Sequence, residues 1–349
     1  MNEFRIAERS IGPNNPVYII AELSANHGQS FERAAELIRV AQRAGADAVK
    51  LQTYTPDTIT IDCDNAYFQI KHDTIWDGQN LYRLYGEAYT PWDWQPKLKA
   101  IANDLGMDLF STPFDDSAVD FLEAMYVPAY KVASFELVDR ALLMKIARTG
   151  KPVIMSTGMA SLAEIEEAVR VLRENGCGQL CLLKCTSAYP SPPESMNLAT
   201  IPHLSQAFDV PVGLSDHTLG TTVPVTAIAL GACVIEKHFT LDRNEGGPDS
   251  AFSLEPDEFR AMVDAIRIAE KAIGRVHYGG TADDKANRAF RRSLFIVADV
   301  RAGDMLTQEN VRSIRPGYGL EPKHLDSVIG RPAKTDLPRG TPLKWQHVA

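Results

Sequence analysis

Short runs of apolar and β-branched residues recur along the chain, and eight of them close on polar groups before a segment of helical spacing begins. They cover 17–23, 48–53, 108–114, 129–135, 152–158, 180–186, 211–215 and 233–239. Their ends are Ala21-Glu22, Lys50-Leu51-Gln52, Ser111-Thr112, Lys131 through Glu136, Ser156-Thr157, Cys185 through Ser187, Ser215-Asp216-His217 and Glu236-Lys237-His238. After the first run, Phe31, Ala34, Ala35, Ile38 and Ala41 share one helix face, with Arg33, Glu36, Arg39 and Arg43 off it. Ser161-Leu-Ala-Glu164 spells a capping box before another long helix. Strand-then-helix alternation repeated eight times predicts parallel βα units closing into an α/β fold, a (β/α)8 TIM barrel. Strands buried on both faces read as continuous apolar runs, so ionisable groups at their carboxyl ends need a reason. The active-site face of a barrel supplies one.

The pattern also divides the chain. The stretch 55–91, rich in Tyr, Trp and Asp, is too long for an ordinary βα loop and is expected over the barrel mouth. A last barrel helix is expected near 255–273, opening at Glu255-Pro256 and closing at Gly274. The barrel is thus assigned to 1–280, a hydrophilic linker to 281–290, and a small, mainly β domain of short strands and turns to 291–349. A domain of that size is marginal alone and is expected to dock on something.

Composition narrows the class of partner. With 45% hydrophobic residues in 349, a large core is available. The net charge of −9 argues against a nucleic-acid backbone while leaving room for a locally basic pocket. Five cysteines show no CxxC pair, and Cys181 and Cys185 fall in one apolar run, as in a reduced, buried strand. The opening residues carry no apolar segment of signal length and no run is long enough to span a membrane, so a soluble, cytoplasmic protein is expected.

The strand ends carry the chemistry. His217 and His238 close the seventh and eighth runs, neighbours in a barrel, where two imidazoles suit a divalent Mn, Co, Fe or Zn ion acting as Lewis acid; each is otherwise a satisfied polar residue. His27, after the first run, is either a substrate contact or a loop hydrogen-bonder. Lys50 and Lys131 are costly to bury without an anion. With Thr112, Ser134, Ser156 and Ser215 they describe a ring of donors for a phosphate and a carboxylate; the rivals are a Schiff-base lysine and structural pairing with a carboxylate. Lys184 alternates with apolar residues and can point outward. Glu22 and Glu136 are the carboxylates placed for proton transfer, Glu136 having the alternative of a helix first-turn acid. Asp249 lies in the glycine-rich stretch Gly246-Gly-Pro-Asp-Ser-Ala-Phe252, where the glycines also serve a turn.

Taken in order, Ala21-Glu-Leu-Ser-Ala-Asn-His-Gly28, Lys50-Leu-Gln-Thr53, Phe110-Ser-Thr-Pro-Phe114, Ala129-Tyr-Lys-Val-Ala-Ser-Phe-Glu136, Ser156-Thr-Gly-Met159, Gly213-Leu-Ser-Asp-His-Thr218 and Glu236-Lys-His-Phe-Thr240 resemble the sialic acid synthase family over almost the whole chain. The stretch from Arg292-Ser-Leu294 to Arg339-Gly-Thr-Pro342 resembles that family's C-terminal antifreeze-like (SAF) domain. The resemblance implies condensation of phosphoenolpyruvate with an open-chain amino sugar to a nine-carbon 2-keto acid, with release of phosphate. Lys50, Thr112, Lys131, Ser134, Ser156, Ser187 and Ser215 would hold phosphoenolpyruvate, and His217 and His238 a divalent metal, Mn2+ or Mg2+. Glu136 would shuttle the proton. Glu22, Gln52, Tyr189 and Asp249 would meet sugar hydroxyls, and Arg315 would reach into the barrel of a partner in a domain-swapped homodimer.

Lys50-Leu-Gln-Thr-Tyr-Thr-Pro-Asp-Thr-Ile-Thr60, Trp76-Asp-Gly78, Glu87-Ala-Tyr-Thr-Pro-Trp92 and Ser187-Ala-Tyr-Pro190 look like the pseudaminic acid synthase branch. Two positions depart from N-acetylneuraminate synthases: Ser187 stands where Asn is expected, and Ser250 where His is common. The branch implies a 2,4-diacetamido-2,4,6-trideoxy-altrose, with the product used in bacterial surface glycans or on flagellin. Tyr67, Phe68, Trp76 and Tyr82 are the insertion's candidates for an apolar wall around it. The alternatives are an N-acetylneuraminate or legionaminic acid synthase, a lysine Schiff-base aldolase, and an ice- or glycan-binding protein. Arg292, Arg301, Asp304, Arg312 and Arg315 make the C-terminal segment too charged for a flat ice-binding face.

Overall fold

A computed structural model describes residues 4–71 and 74–349. The chain divides into two compact units, Met1–Gly274 and Arg275–Ala349. The first opens with an antiparallel hairpin, β1 (Phe4–Ile6) and β2 (Arg9–Ile11). Eight parallel strands follow: β3 (Tyr18–Glu22), β4 (Ala48–Thr53), β5 (Asp108–Pro113), β6 (Tyr130–Val132), β7 (Val153–Ser156), β8 (Leu180–Cys185), β9 (Val212–Asp216) and β10 (Val234–His238). They pair in sequence, and β10 pairs back on β3 to close the barrel. The eight predicted runs are these eight strands.

Helices separate them as the spacing predicts. The helix Phe31–Arg43 buries Ala34, Ala35, Leu37, Ile38 and Ala41 against the strands. Ser161 caps Leu162–Glu174 through the predicted box with Glu164, an arrangement typically worth about 1 kcal/mol. The last barrel helix runs Pro256–Ile273, its first turn closed by the Glu255–Glu258 box. No helix among the described residues is long and apolar enough to cross a membrane.

The hairpin has no counterpart in the sequence reading. Phe4, Ile6 and Ile11 are buried in the barrel core. The Arg5 backbone N–H donates to Gln179, and Arg9 donates to Asp47 and to the Gly106 carbonyl. Those partners precede β8, β4 and β5, so the hairpin covers the amino ends of the strands, opposite the face that carries the polar ends.

In the second unit, β11 (Ser293–Ile296) pairs antiparallel with β12 (Val311–Ile314). The rest is held by isolated bridges such as Val300 to Leu337 and Ala333 to Val348 over a small core of Leu294, Ile296, Leu306, Val311, Val328 and Leu343. It therefore has fewer strand residues than a mainly β domain suggests. The stretch expected as a linker instead holds a short helix, Ala282–Asn287, capped by Thr281, and the boundary between the units falls after Gly274.

Candidate active site

Lys50 on β4 and Lys131 on β6 both reach Glu236 on β10, at 3.8 and 3.7 Å, which places all three side chains inside the barrel. Strand alternation then fixes which of their neighbours face inward. Lys50 also pairs with Glu22 at 2.6 Å and donates to Thr112 at 3.3 Å. Lys131 donates to Ser156 at 2.7 Å, and Ser215 donates to Glu236 at 3.2 Å. The predicted donor ring is thus assembled on one floor, with a carboxylate at its centre that sequence reasoning passed over. The available signal was parity, since Glu236 stands two residues before His238 on the same strand.

Burial sets the charges. It works against charge on Lys50, but Glu22 and Glu236 outweigh it and raise the pKa. On Lys131 burial prevails over Glu236 and lowers it. Burial would push Glu236 up, yet the two lysines hold it below the usual carboxylate range, whereas for Glu22 burial wins and raises it. The floor is a set of compensated charges whose lysines can be claimed by an incoming anion.

Above it, the His217 and His238 ring centroids lie 5.3 Å apart. Burial, then His217 and the lysines, keeps His238 neutral, well below the usual histidine range, and its Nδ1 has no partner. His217 Nδ1 lies 2.9 Å from the Thr186 carbonyl and so carries a hydrogen; burial works against charge on this ring, but Cys185 and the Thr186 carbonyl outweigh it and raise its pKa. The pair fits a divalent ion, which His238 can meet as a neutral ring and His217 on release of its second proton. No group of three His, Cys, Asp or Glu among the described residues forms a metal cluster, so substrate oxygens and water would complete the shell.

Glu136 follows β6 in a 3-10 turn, Glu136–Val138. Burial pushes its carboxyl up to about 7, and Oε2 is buried without a partner. Ser134 and Ser187 are brought together across Gly158, where a Cβ would lie 2.4 Å from one hydroxyl and 2.7 Å from the other. At φ +32° that position also suits glycine best. The Ser187 hydroxyl is itself unpartnered.

The predicted sugar residues form a second cluster. Gln52 donates to Glu22 at 3.1 Å and to Ser24 at 3.0 Å, and Ser24 bonds Asp249. Tyr189 packs 4.4 Å from the His217 ring, and Phe252, another residue the sequence reading missed, lies 4.8 Å from His238 and 5.1 Å from Tyr189. Of the insertion's four candidate aromatics, Trp76 is the one that meets this cluster, 5.6 Å from Tyr189, its indole N–H donating to the Pro248 carbonyl at 2.9 Å. Tyr67 is 91% exposed, and Tyr82 donates to Asp57. Tyr85, from the insertion's helix Leu81–Ala88, comes close enough to Glu136 for that carboxylate to help raise its phenol, after burial.

His27 resolves to a loop role: its Nε2 meets Thr90 at 3.2 Å and its Nδ1 accepts from the Gln29 N–H, while burial lowers it to about 4. Lys184 alternates out of the barrel and donates to the Cys185 carbonyl. Gly246 and Gly247 both hold positive φ in their turn. Arg315 is exposed on the second unit, just after β12.

Comparison with known proteins matches this architecture. The NeuB family model covers residues 37–278 and the SAF domain model residues 291–349. The chain belongs to the NeuB family. It is 46% identical to a pseudaminic acid synthase of Campylobacter jejuni over 94% of this chain and 95% of that one. A pseudaminic acid synthase of Helicobacter pylori is 43% identical over 95% and 98% of the two chains. The crystal structure of an N-acetylneuraminic acid synthetase from Leptospira borgpetersenii superposes with a TM-score of 0.73 at 32% identity, over 82% of this chain and 95% of that one.

Proposed function

We propose that this chain is a pseudaminic acid synthase, condensing phosphoenolpyruvate with 2,4-diacetamido-2,4,6-trideoxy-β-L-altrose and water to give pseudaminic acid and phosphate. The choice within the family rests on the two relatives of that name, similar along nearly their whole length. The observation that carries the reaction type is the floor, two buried lysines and their hydroxyl donors beneath two neighbouring imidazoles. Lys50 and Lys131 hold the phosphate and carboxylate of phosphoenolpyruvate, with Thr112, Ser134, Ser156, Ser187 and Ser215 donating from the rim. Glu22, Gln52, Tyr189 and Asp249 orient the sugar, and Trp76 supplies an apolar face, since its N–H is already committed to Pro248.

The enol carbon of phosphoenolpyruvate attacks the sugar aldehyde, and the aldehyde oxygen gains a proton as the carbon–carbon bond forms. Water adds at C2 and gives up a proton. The C2–O bond to phosphate then breaks, phosphate leaves with the electron pair and takes up the proton of the remaining C2 hydroxyl, which becomes the ketone. Glu136, with a free oxygen and a pKa of about 7, gives its proton to the aldehyde oxygen as the carbon–carbon bond forms and is reloaded by the proton of the water that adds at C2. His217 and His238 would hold a divalent ion, Mn2+ or Mg2+, which would supply Lewis-acid polarisation of the aldehyde.

Mass identification of the product from each candidate sugar tests the assignment. A nine-carbon acid formed faster from the N-acetylneuraminate or legionaminate precursor would move the chain to that branch. Chelation is expected to abolish turnover, and Mn2+ or Mg2+ to restore it. Full turnover of verified metal-free protein would remove the metal from the mechanism.

The proposed assembly is a cytoplasmic homodimer that exchanges its C-terminal domains, with Arg315 donating to the sugar bound by its partner. Arginine suits such fixed, multi-donor contacts. Mixing an Arg315→Ala chain with a chain carrying His217→Ala and His238→Ala is expected to restore part of the activity. One site of the mixed dimer would then bear both lesions and the other neither. No recovery from confirmed mixed dimers would assign Arg315 to its own barrel or to no site.

A further inference from the structure

Asp216 and Lys237 form a further buried ion pair, outside the barrel mouth. They are register partners on β9 and β10, and both side chains are 0% exposed. They alternate with the inward-facing Ser215, His217, Glu236 and His238, so they point into the layer between strands and helices, where β9 and β10 otherwise place Val212, Leu214 and Ile235. Replacing a buried ion pair by apolar residues of similar volume is often neutral or stabilising. The mutual attraction of the two charges therefore gives little reason for them here.

The hydrogen bonds of the pair give one. Lys237 Nζ donates to Asp216 Oδ2 at 2.5 Å and also to the Thr218 carbonyl. The other oxygen, Asp216 Oδ1, accepts from the Thr218 N–H at 3.0 Å and from its hydroxyl at 2.9 Å. The residues on both sides of His217 are thus tied to each other and to the residue before His238. The tie falls where regular pairing stops, because β9 ends at Asp216 and His217 is one residue beyond it.

We propose that Asp216, Lys237 and Thr218 form a positioning clamp that holds the His217 and His238 imidazoles in the geometry a shared divalent ion requires. The inference rests on the reading of those histidines as metal ligands. Outer partners that orient ligating groups commonly contribute about 10- to 100-fold in metal affinity.

The test is Mn2+ titration of the metal-stripped full chain, followed by the electron paramagnetic resonance of free Mn2+, with thermal unfolding measured in parallel. The double variant Asp216→Leu/Lys237→Met keeps the layer filled and removes both charges together. Its unfolding midpoint is expected to fall by several degrees, because the buried Thr218 N–H, hydroxyl and carbonyl lose these partners, while its Mn2+ Kd rises about 10-fold or more. Excess Mn2+ should then recover much of the lost turnover. Thr218→Val removes one bond of the clamp, leaves the ion pair in place, and is expected to weaken Mn2+ severalfold. Parent-like Mn2+ affinity in the folded double variant would overturn the clamp; should that variant not fold, parent-like affinity in Thr218→Val would do so. His217→Ala and His238→Ala are the controls for the site itself. If the parent binds no Mn2+ that these controls lose, the metal reading fails and the clamp with it.

Discussion

Glu136→Gln is expected to lower kcat by about 10²- to 10⁴-fold, the usual worth of a positioned proton-transfer group, with the KM of each substrate nearly unchanged. The same substitution should make the protein more stable above neutral pH. Burial raises Glu136 from the ordinary 4.5 to about 7. Between those values the folded chain binds more proton than the unfolded one, so stability falls as pH rises through the window. Above about pH 7 the ionised carboxylate then costs on the order of 3 kcal/mol. Glutamine carries no charge to bury, so the variant should unfold several degrees higher at pH 8 and differ little at pH 5. In the parent, kcat should fall as pH rises through about 7, because Glu136 must enter the cycle carrying the proton that the aldehyde oxygen takes. Unchanged turnover, with or without added stability, would return Glu136 to the role of a first-turn helix acid.

Lys50→Ala and Lys131→Ala are expected to raise the KM for phosphoenolpyruvate by about 100-fold, the worth of a charge-assisted contact or two, and that for the sugar far less. Lys131→Ala should also lower the unfolding midpoint, because Glu236 is left in the barrel with Lys50 as its single remaining cation within salt-bridge distance. Borohydride trapping of a pyruvate adduct that either variant loses would favour the Schiff-base aldolase instead.

The barrel was legible because continuous apolar runs with polar ends alternate with segments of helical spacing, and both signals survive in a single sequence. The hairpin was not: three-residue strands carry too few positions for a period to show, and only the packing of Phe4, Ile6 and Ile11 reveals them. The donor ring was read from residue types at strand ends. Glu236 escaped because it sits one layer deeper, where its meaning depends on cross-barrel neighbours. The aromatic insertion announced a cover for the mouth without saying which ring would arrive. Trp76 was chosen by the Pro248 carbonyl and the Tyr189 ring, both far away in sequence. In the C-terminal unit, turn residues were visible, but single bridges in place of strands leave no periodic trace.

The placement of Trp76 also gives the protein an optical reporter. Of four tryptophans, Trp76 is the one among the described residues whose ring contacts Tyr189, in the cluster with the two imidazoles. Indole emission responds to polarity and to nearby quenchers, so arrival of a sugar against that ring, or removal of the insertion from the mouth, becomes visible in real time without a label. With Trp92, Trp94 and Trp345 replaced by phenylalanine, stopped-flow fluorescence can then time the arrival of the sugar against the chemistry beneath it.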